Sequence, residues 1–152
     1  MNTKPNRILV AVDASENSLR AVAYTGEMAK LTPDLHIEVL SICRQPDPDL
    51  FPDPEALRQR MHEQEAELTR FLDQASQLLE KKGVPPASIS KRNLCITHPS
   101  IAQQILSIQE EGGFGTVAVG RRGVSKAEEF LFGSVSSKIV HYAKNCTVWV
   151  VA

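Results

Sequence analysis

The sequence predicts an α/β protein built on an open parallel sheet with helices on both faces, and three observations carry that expectation. Strand-like runs alternate strictly with helical periodicities, five strands against four helices, the element order of a parallel sheet joined by right-handed crossovers. The leading run, Ile8-Leu9-Val10-Ala11-Val12, is apolar at every position, as in a strand covered on both faces. The connection after the fourth strand, Gly120 to Gly133, is far longer than the usual two to six residues of a βα loop. With 152 residues the chain is expected to form one domain, residues 1–152, whose single core buries roughly 70 per cent of the surface exposed by the unfolded chain.

Each element follows from local chemistry. The first strand ends at Asp13, and Ser15 can cap a helix with Leu19, Val22, Ala23 and Gly26 on one face and Pro33 as its stop. His36 to Cys43 reads as the second strand. Between Arg44 and Glu55 four prolines alternate with acidic residues, and the expectation is a mobile loop without regular structure that covers the strand ends loosely. From Glu55 to Lys82 apolar residues recur at helical spacing until Gly83. Ile89 to Thr97 is a more polar strand, which suits a sheet edge, and Pro99 is expected to open a helix carrying Ile101, Ile105 and Ile108. Thr116 to Val119 is strand four, a helix starts near Ser134, and Thr147 to Val151 is strand five.

Composition narrows the function. Lys plus Arg number 17 against 18 Asp plus Glu, a net charge of -1, so there is no basic excess of the kind that binds nucleic acid. Hydrophobic residues at 42 per cent and charged residues at 23 per cent exclude a disordered chain. Cys43, Cys95 and Cys146 form no C-x-x-C pair and no metal-ligand spacing with the histidines, which points to a reducing compartment. Met1 to Asn6 is polar and offers neither a signal peptide nor a membrane span, so the expected location is the cytoplasm.

In open α/β sheets ligands bind beyond the carboxyl ends of the strands, where the strand order reverses and adjacent loops splay apart. Asp13 and the long loop fall there. That loop begins Gly120-Arg121-Arg122-Gly123 and ends Gly133-Ser134. Glycines let backbone N–H groups approach phosphate oxygens, and the helix start at Ser134 adds unpaired donors, so together they would form an anion cradle. The loop is neither a Walker A string nor a G-x-G-x-x-G fingerprint.

The spacing G-x2-G-x9-G-[S/T], met by Gly120, Gly123, Gly133 and Ser134, together with the strand ending Val12-Asp13 and the closing Thr-Val-Trp-Val-Val, resembles the universal stress protein family. The resemblance in element order covers essentially the whole chain. It implies a Rossmann-like sheet in order 3-2-1-4-5 with ATP at the switch point, Mg²⁺ on its phosphates, and no metal held by the protein alone. Carried over by position, Val12 and Asp13 would flank base and ribose, and the backbone of Ile42 would face adenine. Val119, Gly120, Arg121, Arg122 and Gly123, with Gly133, Ser134 and Val135, would surround sugar and phosphates. Arg121 and Arg122 stand where many relatives have Ser-His, and Ser41 and Cys43 also depart from the pattern.

Each residue has a plainer alternative. Asp13 can serve only to cap the first helix or bind turn amides, and Ser134 can be an N-cap. Arg121 and Arg122 can be solvated surface residues, and Glu128 and Glu129 would oppose phosphate unless turned outward. His98 and Cys95 lack a third ligand or an orienting carboxylate for metal or catalytic work. No catalytic residue is assigned. The expected function is an ATP-binding regulator of stress response with an unidentified protein partner. A slow ATPase and a dimerisation module that ignores nucleotide are the alternatives, because fast phosphoryl transfer needs metal ligands and a positioned base that the sequence does not display. A homodimer is expected through Thr147 to Val151, an apolar strand that the family's order places at a sheet edge.

Overall fold

β1 (Lys4–Val12) is the central strand of a five-stranded, all-parallel sheet in the computed structural model, which describes residues 2–121 and 134–152. β2 (His36–Arg44) and β3 (Ile89–Ile96) lie to one side, β4 (Phe114–Gly120) and β5 (Thr147–Val151) to the other, in the order β3-β2-β1-β4-β5. Four α-helices connect them: α1 (Glu16–Ala29), α2 (Pro54–Lys81), α3 (Ile101–Gly112) and α4 (Ser134–Tyr142). Because successive side chains of a strand point to opposite faces, β1 feeds two cores. Ile8, Val10 and Val12 pack with α1 and α2, whereas Leu9 packs with α3, Val117 and Ile139. A continuous apolar run is the sequence that such a strand requires.

The helix ends correct several expectations. Ser15 does cap α1, accepting from the Ser18 amide, but α1 ends at Ala29, four residues before Pro33. Its buried face also includes two polar residues, Ser18 and Thr25, the latter donating to the Ala21 carbonyl at 2.8 Å. Pro99 does not open α3; it follows His98 through a cis peptide bond, and Ser100 caps the helix in a reciprocal capping box with Gln103.

The segment from Arg44 to Glu55 is not without regular structure. Pro48 starts a single 3₁₀ turn to Leu50 and Pro54 starts α2, in each case at the first helical position, where the missing N–H has no partner to lose. Asp47 and Asp53 cap these turns through the Asp49 and Glu55 amides, and the Gln45 amide continues the strand pairing to the Ile96 carbonyl. The alternation of proline and aspartate is a pair of helix starts, and the two aspartates that precede the prolines are caps.

Cys43 and Cys95 face each other in the β2–β3 register and form a disulfide, leaving Cys146 as the free cysteine. Nothing in their separation of 52 residues announces the pairing, and with two of the three cysteines bonded the cysteine pattern no longer points to a reducing compartment. β3 is polar because it is the edge, and one of its charges also compensates a buried group, since Arg92 meets the buried Glu38 carboxylate at 2.6 Å.

Glu27 on α1 joins the two helices of its face. Its carboxylate lies 2.7 Å from Lys82 Nζ and 2.9 Å from Lys30 Nζ, and these hydrogen bonds, Lys82 first, hold its pKa down from the usual 4.5 to about 2. A depressed folded-state pKa adds stability that is complete above about 4.5 and is lost as pH falls through about 2. Glu27→Gln should therefore flatten the acid limb of stability in that window. The effect is expected to be small and to shrink with salt because the pair is exposed, which urea midpoints against pH at two ionic strengths would show.

Candidate functional site

A crevice of about 390 Å³ opens at the carboxyl ends of β1, β2 and β4, on the α3–α4 side of the sheet. Its floor is made by Ala11, Leu40, Ile42 and Val119, and Ile101 and Ile105 of α3 form an apolar wall. These two isoleucines were legible as a helix face, but nothing in their spacing assigns them to a ligand crevice rather than to core. The volume lies within the range of small-molecule sites, roughly 300–1,000 Å³.

Of the predicted site residues, Val12, Asp13, Ile42, Val119, Gly120, Ser134 and Val135 all line this crevice. Arg121 is exposed and does not line it; its amide donates to the Val151 carbonyl at 2.7 Å, extending the pairing of β4 with β5. Arg122, Gly123 and Gly133 fall outside the described residues, as do Glu128 and Glu129. Ser134 is already helical at the first described position of α4.

The lip beside β1 is built around Asp13. Its Oδ1 accepts from the Ser15 amide at 3.2 Å, from the Ser15 hydroxyl, and from Ser18 Oγ at 2.7 Å. Ser18 Oγ in turn accepts from the Asp13 amide at 3.0 Å. Asp13 thus binds a turn amide, the plainer of its two expected roles, while remaining exposed at the crevice. Ala14 between them has φ 60, a left-handed conformation uncommon outside glycine, and the Asp13–Ser15–Ser18 hydrogen bonds hold it there. Ser18→Ala should cost about 1–2 kcal/mol of folding free energy, because it leaves the Asp13 amide without its acceptor, as denaturant unfolding would measure.

The N-terminal turns of α1 and α4 both border the crevice, through Ser15 and Asn17 on one side and Ser134 to Ser136 on the other. Helix N-termini carry partial positive charge, so two of them flank one apolar cleft. No three-residue metal-binding cluster of His, Cys, Asp or Glu occurs among the described residues, and no described helix is long and apolar enough to cross a membrane.

An open parallel sheet in this order, with its cleft where β1 and β4 meet, defines a Rossmann-like α/β protein of the type that holds ligands at the switch point. More narrowly, the chain belongs to the universal stress protein family, whose family model matches residues 5–152. It is similar to universal stress protein YxiE of Bacillus subtilis, with 27% identity over 158 residues covering 96% of this chain and 98% of that protein. Among solved structures it resembles universal stress protein UspA from Lactobacillus plantarum, with a TM-score of 0.77 and 19% identity over 99% of this chain and 100% of that one. A universal stress protein from Archaeoglobus fulgidus, solved in complex with dAMP, matches with a TM-score of 0.66 and 22% identity over the full length of both chains.

Proposed function

We propose that this chain is an adenine-nucleotide-binding regulator whose ligand is ATP, seated in the switch-point crevice. The observation that carries the reading is the form of that crevice: an apolar inner wall of Leu40, Ile42, Ile101 and Ile105, and a polar mouth formed by Asp13 and two helix N-termini. Adenine would lie against the apolar wall, and the phosphates would face the α4 start and the glycine loop. The relative solved with dAMP supports the nucleotide class. Asp13 is the one carboxylate among the described lining residues, and its Oδ1 already accepts three hydrogen bonds, so Mg²⁺ would be carried chiefly by the phosphates. In this reading bound nucleotide changes the surface offered to a partner protein in the cytoplasm. The protein would act as a homodimer through β5.

Titration calorimetry with Mg-ATP tests the proposal. Saturable binding that weakens in Gly133→Val, where a β-branched side chain enters the glycine loop, is the expected result. Folded protein that binds no ATP at millimolar concentration would overturn it.

A further inference from the structure

The Cys43–Cys95 bond has a built-in asymmetry. The two residues stand directly opposite each other in the parallel register, with Cα atoms 4.6 Å apart. Cys43 is 4% exposed, beneath the α2 side of the sheet, whereas Cys95 is an exposed residue. β3, which carries it, pairs with β2 and among the described residues has no strand on its outer side. A reagent from solvent therefore meets the Cys95 end of the bond first. Thiol exchange proceeds by in-line attack of a thiolate on one sulfur with departure of the other, so access decides which sulfur is attacked.

We propose that Cys43–Cys95 is a reversible exchange site for a low-molecular-weight thiol, with Cys95 taking the incoming thiol and Cys43 acting as the leaving and resealing sulfur. In the forward step a thiolate RS⁻ bonds to Cys95 Sγ, the Cys43–Cys95 bond breaks, and Cys43 departs as a thiolate that takes up a proton. A second RS⁻ then attacks the sulfur of R in the mixed disulfide, giving RSSR and the free Cys95 thiolate. Two thiols are oxidised and one protein disulfide is reduced. The reverse course runs from RSSR: Cys95 thiolate forms the mixed disulfide, and Cys43 closes on Cys95 and expels RS⁻. The register keeps the two sulfurs opposed in both states, so resealing requires no rearrangement of the sheet. Cys146 is no competitor, since it lies on the other face and burial pushes its thiol pKa up.

Opening the bond removes the covalent tie between β2 and the edge strand just where the chain leaves β2 for the 3₁₀ turn at Pro48–Leu50. Exchange at this site thereby converts the state of the thiol pool into looser or tighter attachment of β3.

Glutathione serves as the probe. Native protein treated with reduced glutathione, quenched with iodoacetamide at intervals and mapped by mass spectrometry should pass from one free thiol to three, with the transient adduct on Cys95. Oxidised glutathione should restore the single thiol. Cys43→Ser should accumulate a stable adduct on Cys95, whereas Cys95→Ser should leave Cys43 unmodified in folded protein. Amide exchange across Ile89–Ile96 should quicken several-fold in the reduced wild type. A bond that yields to glutathione only in denaturant, an adduct that forms first on Cys43, or amide exchange indifferent to redox state would overturn the proposal. The wild-type readouts do not depend on either variant folding.

Discussion

Gly120→Ala is expected to lower the unfolding free energy by about 1–3 kcal/mol, with a Tm lower by roughly 3–10 °C, and to weaken nucleotide binding by at least about tenfold. A Cβ at this position would stand 2.5 Å from the Asn17 carbonyl oxygen, 2.6 Å from its carbon and 3.0 Å from the Ser18 amide nitrogen. All three are backbone atoms in the first turn of α1, so no side-chain rotation relieves the contact. The end of β4 or the start of α1 must move. Either movement reshapes the crevice, because Gly120 lines one wall and Ser18 anchors Asp13 on the lip opposite. Urea unfolding and calorimetry on the same preparation separate the consequences. Unchanged stability would show that the approach of β4 to α1 is looser than these distances state. Lost stability with full ATP affinity would mean that this wall does not meet the nucleotide.

Gly120 also shows how much of the site was readable in advance. Its place at a strand end, beside a long loop, marked it from sequence, as the end of β1 marked Asp13, and Val12, Ile42 and Val119, carried over from the family resemblance, reached the crevice with them. Strand ends are legible because an apolar run and its stop lie close together in the chain. What required coordinates was pairing across the sheet. Leu40 joins Ile42 on the floor because alternate residues of β2 share a face, and Ile101 and Ile105 complete the wall because α3 crosses that same face. Ser18 was hidden inside an apolar helical periodicity, although its hydroxyl positions Asp13. Cys43 and Cys95 became partners through a register between strands separated by the whole of α2. The prolines misled for a different reason: a proline that breaks a helix interior is equally suited to its first position, and only the preceding aspartates distinguish the two.

Val150→Pro is expected to convert a dimer into a folded monomer of 16.8 kDa. β5 closes the sheet order next to β4, no strand among the described residues lies on its outer edge, and all of its residues after Thr147 are only half-buried. The direction of each backbone group follows from one hydrogen bond. The Arg121 amide donates to the Val151 carbonyl, so the polar groups of Val151 turn toward β4. Neighbouring residues of a strand turn theirs the opposite way, which aims the N–H and C=O of Val150 at the open edge. Proline at 150 thus removes a donor from the edge while sparing the pairing with β4. The flanks of the edge are apolar on both faces. Tyr24 of α1, in edge-to-face contact with Trp149 at 5.4 Å, is 43% exposed on one side, and Val140 of α4 is 54% exposed on the other. A two-fold axis through β5 would pair two such edges antiparallel, cover both flanks at once and close without forming a filament. Sedimentation of the wild type at micromolar concentration should give a dimer, and the variant a monomer with unchanged far-ultraviolet circular dichroism. ATP binding should persist in that monomer, because the crevice is lined by β1, β2 and β4 with no residue of β5. A wild type that sediments as a monomer, or a Val150→Pro protein that remains dimeric, would remove β5 as the association surface.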